Sequence, residues 1–165
     1  MELWLLRHAA AEDRAASGRD PDRELTADGA KRAKAVARGL AVLDPGIDLV
    51  ITSPYRRARQ TAEPVVEALG LEKSFRESAA LEPDHDPEEI LAEVVAQEKR
   101  DGILLVGHQP HLGILLGHLL AGGRGLEIPL KKASIARVEL AGRGRGQLRA
   151  LLPAPLLEQI ARSRG

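Results

Sequence analysis

Cysteine is absent from the 165-residue chain. That removes disulfides and thiolate metal sites together, and it fits a cytosolic (cytoplasmic) protein. Aromatic residues make up only 2%, so a core must be built from Leu, Val, Ile and Ala. Neither sign of charge is in excess, since 24 Lys and Arg face 24 Asp and Glu. A non-specific nucleic-acid binder carries a basic surplus, so nucleic acid is not expected as a partner. No apolar run approaches the ~20 residues that span a bilayer, so no membrane partner is expected either. Met1-Glu2 leads straight into an apolar run, without the basic stretch and cleavage site of a secretory leader. What is present is ordinary for a globular protein: 44% hydrophobic and 29% charged residues. A chain of this length buries about 68–70% of its unfolded surface, enough for one domain spanning residues 1–165.

Leu3-Trp4-Leu5-Leu6 reads as a strand buried on both faces, and it stops abruptly at Arg7-His8. The polar stretch from Ala9 to Glu24 reads as a loop, with turn signals at Ser17-Gly18 and Asp20-Pro21. It is either a wall or lid of a site beside His8 or a plain surface connection. Thr26 is placed to cap a helix ending near Leu43, and Ile47 to Thr52 reads as the second strand. A second helix runs from about Tyr55 to Leu69, with Gly70 as its stop, and a short extended piece covers Ser74–Arg76. Leu81 to Pro87 is rich in turn residues, and Pro87 suits the first turn of a helix reaching about Lys99. Gly102 to His108 is another apolar run closed by a histidine, followed by a helix from Pro110 to Leu120. Gly122 to Gly125 reads as a loop. Ser134–Leu140 and Gln147–Leu152 read as strands joined by a hairpin turn at Gly142 to Gly146, and Leu156–Arg162 as a last helix. The alternation predicts an α/β fold: a three-layer sandwich with a mostly parallel central sheet flanked by helices.

Ligands of open α/β sheets sit beyond the carboxyl ends of the strands. Three segments fall at such ends: Arg7-His8, Ser53 to Thr61, and Gly107-His108-Gln109-Pro110. They bring together two histidines and several arginines. Arginine presents a planar fork that matches phosphate oxygens and stays charged. Helix N-termini add backbone donors, and neutral imidazole is a competent nucleophile toward phosphorus. Taken alone, each segment is as well explained by packing or a surface pair; the three together point to phosphoryl chemistry.

Together the segments resemble the histidine phosphatase superfamily, also called phosphoglycerate mutase-like. Its marks are Arg-His-Gly after the first strand, Ser-Pro-x-x-Arg-Ala-x-Gln-Thr, and a late Gly-His or Ser-His. Ser53-Pro54, Arg57-Ala58 and Gln60-Thr61 match the middle segment, and Leu25-Thr26 with Gly29 matches a further family feature, Leu-Thr-x-x-Gly. The short chain looks most like the small SixA-type phosphohistidine phosphatases. The resemblance implies a phosphoglycerate mutase-like fold and a metal-independent hydrolase with no cofactor. It implies His8 as the phosphorylated nucleophile, Arg7 and Arg57 as phosphoryl-binding arginines and His108 as the second histidine, with Gln109 beside it in the substrate site. Nearby arginines should lower the His8 pKa and keep the ring neutral. Arg56 and Arg59 do not match the family arginine and read as helix-surface charges.

Two positions depart from the family pattern. Ala9 replaces the family Gly, which implies that its backbone does not need positive φ. The family's acidic residue falls at Ala80, leaving Glu82 as the possible acid nearby. Such a site suits a leaving group that arrives already protonated, as the imidazole of phosphohistidine can. The expected partner is therefore a phosphohistidine-bearing protein. The alternatives are a small phosphorylated metabolite, and a non-catalytic phosphoprotein-binding module. His108, His111 and His118 do not form a recognised metal spacing, His85 borders the site or is solvated, and Lys131-Lys132 reads as a solvated edge.

Overall fold

The computed structural model describes residues 1–97, 99–123, 125–141 and 145–163. Its strands are β1 (Glu2–Arg7), β2 (Leu49–Thr52), β3 (Phe75–Glu77), β4 (Gly102–Gly107), β5 (Ile135–Leu140) and β6 (Gly146–Leu152). Its helices are α1 (Ala27–Val42), α2 (Arg56–Leu69), α3 (Pro87–Val95), α4 (His111–Ala121) and α5 (Ala154–Arg162). The strands form one sheet in the order β3-β2-β4-β1-β5-β6. The first four in that order are parallel to one another, and β5 and β6 are antiparallel additions.

Side chains of a strand alternate between faces, and residues 3–6 of β1, 49–51 of β2 and 103–106 of β4 are apolar throughout because both faces are covered. Leu3 and Leu5 of β1, Leu49 and Ile51 of β2, and Ile103 and Leu105 of β4 join α3 and α4 in one core. Trp4 and Leu6, Val50, and Leu104 and Val106 face the other way, onto α1, α2 and α5. The three-layer sandwich is thus a direct result of strands whose interiors are apolar on both faces. Deleting a fully buried leucine such as Leu5 or Leu105 from such a core costs about 2–5 kcal/mol.

Local chemistry sets the element ends. The Thr26 hydroxyl accepts the Gly29 N–H and caps α1. Gly70, at φ 66°, closes α2 in the left-handed conformation. Several boundaries shift from the sequence expectation, α5 for example beginning at Ala154 rather than Leu156, and two shifts have a clear local cause. The second strand starts at Leu49 rather than Ile47, because Asp48 is tied to the 100–102 turn through Arg100, Asp101 and the Gly102 carbonyl. The third helix stops at Val95 rather than Lys99. Beyond Ala96 the sequence Gln97-Glu98-Lys99-Arg100 is wholly polar and has nothing to pack on the core. Of the expected hairpin turn, positions 142–144 lie outside the described residues, while β5 and β6 pair antiparallel on either side.

Candidate active site

The register of the parallel ladder builds the site. Arg7 of β1 stands opposite Gly107 of β4, and the pairing continues one step as the His8 N–H reaches the Gly107 carbonyl at 3.0 Å. His8 and His108 therefore leave neighbouring strands side by side, with ring centroids 5.1 Å apart. Ser53 follows β2 in the same way, its N–H bonded to the Val106 carbonyl at 2.9 Å. Its hydroxyl meets His108 Nε2 at 2.8 Å. Arg57 enters from the first turn of α2, so four of the residues singled out in the sequence share one crest of the sheet.

Both histidines are buried, His8 at 7% exposure and His108 at 2%. His8 Nδ1 donates to the Ala9 carbonyl at 2.7 Å. That bond fixes the tautomer and leaves the Nε2 lone pair available. Burial is the main cause that pushes the His8 pKa down to about 4, and the charges of Arg57, Arg7 and Lys132 add to it, while the Ala9 hydrogen bond opposes it. His108 is driven down as well, first by burial and then by His8 and Arg57. Both rings are therefore neutral near pH 7. Ala9 is buried, its backbone avoids positive φ, and its N–H is accepted by the Thr61 hydroxyl at 3.1 Å. An alanine is accommodated there without strain.

The two arginines are held differently. Arg7 Nη1 donates to the Leu130 carbonyl at 2.8 Å. The Leu130 N–H in turn reaches Gln109 Oε1, and Gln109 Nε2 bonds Glu127 at 2.7 Å. The Gln109 side chain is thus committed to the 127–130 segment behind Arg7. Arg57 is 5% exposed. Its Nη1 donates to the Asp20 carbonyl at 2.9 Å and its Nη2 to Asp20 Oδ2 at 3.0 Å. The 12–24 segment consequently reaches over the site as a strap, with a short 3₁₀ turn at Asp20–Asp22. Of the two roles open to this loop in the sequence, contact with Arg57 supports the wall.

Several contributors carry weaker signals in the sequence. Tyr55 stands edge-on to His108 at 5.1 Å, with the Arg57 guanidinium 5.0 Å from its ring centroid. Ala133, at φ 58°, is a left-handed alanine whose N–H is shared by the Arg7 and His8 carbonyls. Asp20 looked like no more than a turn former before Pro21. Ser53 and Thr61 were visible as parts of a motif, but their bonds were not.

The remaining positions lie outward. Arg56 pairs with Glu24, and Arg59 with Glu63 and Glu77, at the helix surface. Glu82 ends the 3₁₀ turn Ala79–Leu81. Its charge reaches Tyr55, whose pKa is raised by burial first and by Glu82, Asp20 and Asp84 after it. His85 is bonded to Glu89 at 3.0 Å. His111 is 2% exposed, and neither ring nitrogen has a hydrogen-bond partner. Among the described residues, no group of three or more His, Cys, Asp and Glu is placed to hold a metal ion. Among the same residues no helix is long and apolar enough to cross a membrane.

Comparison with known proteins agrees with this geometry. The sequence model of the histidine phosphatase superfamily (branch 1) matches residues 3–81. The chain is 31% identical to the phosphohistidine phosphatase SixA of Escherichia coli over 150 residues, covering 88% of this chain and 89% of that one. It is 39% identical over 137 residues to an uncharacterized protein of a Picosynechococcus strain, with 82% of each chain covered. A solved structure of the protein histidine phosphatase SixA complexed with tungstate superposes with a TM-score of 0.86 at 29% identity. That match covers 95% of this chain and 99% of the other.

Proposed function

The chain belongs to the histidine phosphatase superfamily, and from that premise we propose that it removes the phosphoryl group from a protein phosphohistidine through a phosphohistidine intermediate on His8. The observation that carries this reading is the state of His8. The ring is neutral, its Nδ1 proton is spent on the Ala9 carbonyl, and Nε2 stands beside a second neutral histidine and Arg57. The tungstate held by the solved relative is a tetrahedral oxyanion, as a phosphoryl group is.

Substrate phosphate docks between Arg7, Arg57 and His108. His8 Nε2 attacks phosphorus in line, and the substrate nitrogen departs with the electrons of the broken P–N bond. Water then attacks the phosphohistidine and frees phosphate. The arginine forks spread over the equatorial oxygens, so catalysis rests on positioning and charge stabilisation. His108, steadied through Nε2 by the Ser53 hydroxyl, faces the transferred group. The reaction as drawn uses no metal. Gln109 supports Arg7 through the 127–130 segment. The whole chain acts as one catalytic domain.

Two observations favour a nitrogen leaving group. The family's acid position carries Ala80, which is apolar and buried. Among the described residues, no carboxylate is hydrogen-bonded to His8 or His108. An alkoxide would leave without a proton donor, whereas an imidazole protonated on its far nitrogen needs none. Glu82, beside the family's acid position, is the carboxylate to test should an ester prove the better substrate.

The test is phosphate release from a histidine-phosphorylated protein, a phosphoserine peptide and a sugar phosphate, with wild type and His8→Ala. Fast release from phosphohistidine, lost in the variant, is expected. Faster release from the sugar phosphate would instead identify a small-molecule phosphomonoesterase. Binding without turnover of any substrate would identify a phosphoprotein-binding module.

A further inference from the structure

Asp20 places a carboxylate inside a site otherwise arranged for an anion. Its Oδ2 and its backbone carbonyl accept two hydrogen bonds from Arg57, and its Oδ1 accepts a third from Arg23 Nη1 at 2.7 Å. Arg23 is itself fixed, since its Nε donates to the Glu12 carbonyl at 2.6 Å. Arginine has five N–H donors, and Asp20 engages two of those on Arg57. Arg57 Nη1 and Nη2 each keep a second N–H beyond the one that Asp20 engages. The guanidinium can therefore serve a phosphoryl group and Asp20 at once, and the carboxylate need not leave when substrate arrives. Burial alone would raise the Asp20 pKa, but the bonds and charges of Arg23 and Arg57 outweigh it and hold the group below its usual range. Asp20 is thus an anion and not a proton donor. Its charge also reaches His108 and Tyr55.

A fixed anion next to a phosphate site repels the phosphoryl group and any leaving group that departs with negative charge. It favours a leaving group that carries a positive charge or a polarised N–H. We infer that Asp20 is a specificity-determining residue that accepts a hydrogen bond from the ring N–H of the departing imidazole, and so selects phosphoimidazole over ester phosphates. The inference rests on the phosphohistidine reading above. The substrate ring arrives as phosphoimidazolium, with a proton on the nitrogen not bonded to phosphorus. The His8 Nε2 lone pair forms the new N–P bond as the old one breaks. The electrons of the old bond return to the substrate nitrogen, and the ring leaves as neutral imidazole. His8 keeps its Nδ1 proton and becomes the phosphoimidazolium. The two rings are then treated alike: the attacking N–H is held by the Ala9 carbonyl and the departing N–H by Asp20.

The test compares kcat/KM for N-phosphoimidazole with that for an aryl phosphate, in wild type, Asp20→Asn and Asp20→Ala. Both variants should lower the phosphoimidazole-to-aryl ratio at least tenfold. Phosphoimidazole should slow as its N–H loses an anionic acceptor, and the aryl phosphate should speed up as its phenolate loses a repelling charge. If both substrates change by the same factor in either direction, Asp20 only holds the strap and the inference is wrong. The two failures can be told apart. Wild type that cleaves the aryl phosphate but neither phosphoimidazole nor phosphohistidine overturns the phosphohistidine reading. Wild type that cleaves both, with a ratio the variants leave unchanged, overturns the role of Asp20 alone.

Discussion

His8 and His108 stand at the ends of the two central strands and are 7% and 2% exposed. Asp20 and Arg23, on the strap that reaches Arg57, have side chains that are 52% and 27% exposed. The first pair is positioned by backbone ladders and by hydrogen bonds to buried carbonyl and hydroxyl groups. The strap meets the helix through Arg57 to Asp20 and Arg56 to Glu24, and is braced within itself by surface pairs, Arg23 to Asp20 and Arg19 to Asp22. Exposed pairs of this kind contribute about 0–1 kcal/mol each, whereas the buried crest shares the stability of the whole core. The contrast teaches a division of labour. The residues of the crest, whose chemistry would tolerate little misplacement, sit on the part least able to shift, and Asp20 is carried by the more exposed part, braced there by Arg57 and Arg23.

The sharpest way to break this contrast is His8→Ala, which should abolish turnover in a phosphate-release assay while the fold is kept. Near-normal turnover would show that the nucleophile lies elsewhere. Arg57→Ala should cost about 3–4 kcal/mol of transition-state binding, by analogy with a lost oxyanion donor, read as a 10²–10³-fold fall in kcat/KM. A loss below tenfold would mean that Arg57 serves the strap more than the phosphate.

Gly29 joins the two regions. A Cβ there would lie 2.0 Å from the Ala10 carbonyl oxygen, so the start of α1 packs directly under the chain leaving His8. Gly29→Ala should destabilise the protein by about 1–3 kcal/mol, measured as a lower midpoint in denaturant. An unchanged midpoint would show that the segment after His8 yields easily and is not part of the rigid crest.

The buried rings also make the crest acid-sensitive. Burial first, with the charge of His85 adding to it, pushes His111 down to about 4, the same value as His8. Each folded-state pKa lies below the unfolded value of about 6.5, so the unfolded chain binds more protons between the two. The contribution of these two rings is therefore full above about pH 6.5, falls as the pH drops toward 4, and levels off below that, while His108, pushed lower still, extends the loss to more acid pH. His111→Leu should recover about 1–2 kcal/mol of that loss at pH 5, seen as a flatter plot of unfolding free energy against pH. An equally steep plot would assign the acid sensitivity to other groups. The smallest effect belongs to the strap. Arg56→Ala, which breaks the pair with Glu24, should change stability by no more than about 1 kcal/mol and leave the denaturant midpoint nearly where it was.

What could be read from the sequence follows the same division. Strands covered on both faces appear as unbroken apolar runs, and each run ends where a ligand would sit, so Arg7, His8, His108 and the Ser53–Thr61 segment were visible in advance. Gly29 was visible as a letter in a motif, but its reason, the closeness of Ala10, was not. The Asp20–Arg57 bond joins residues 37 positions apart, and neither periodicity nor turn chemistry foretells which aspartate of a loop meets which arginine of a helix. The Gln109 bonds were hidden for the same reason: nothing in the sequence shows that the 127–130 segment folds back upon that amide. The early stop of α3 was a matter of polar sequence outlasting the apolar face.

The Arg7–Gly107 register has a consequence for motion as well as for position. Amide groups at the centre of a parallel ladder exchange with solvent only when the whole cooperative unit opens. The His8 N–H, buried and bonded to the Gly107 carbonyl one step past the end of that ladder, should exchange more slowly than the amides of Gly18 and Asp22, which sit in turns of the strap and fray locally. The turns of the strap can thus fray and re-form many times within the lifetime of a single folded molecule. On warming, the two histidines should part company only when the sheet itself comes undone.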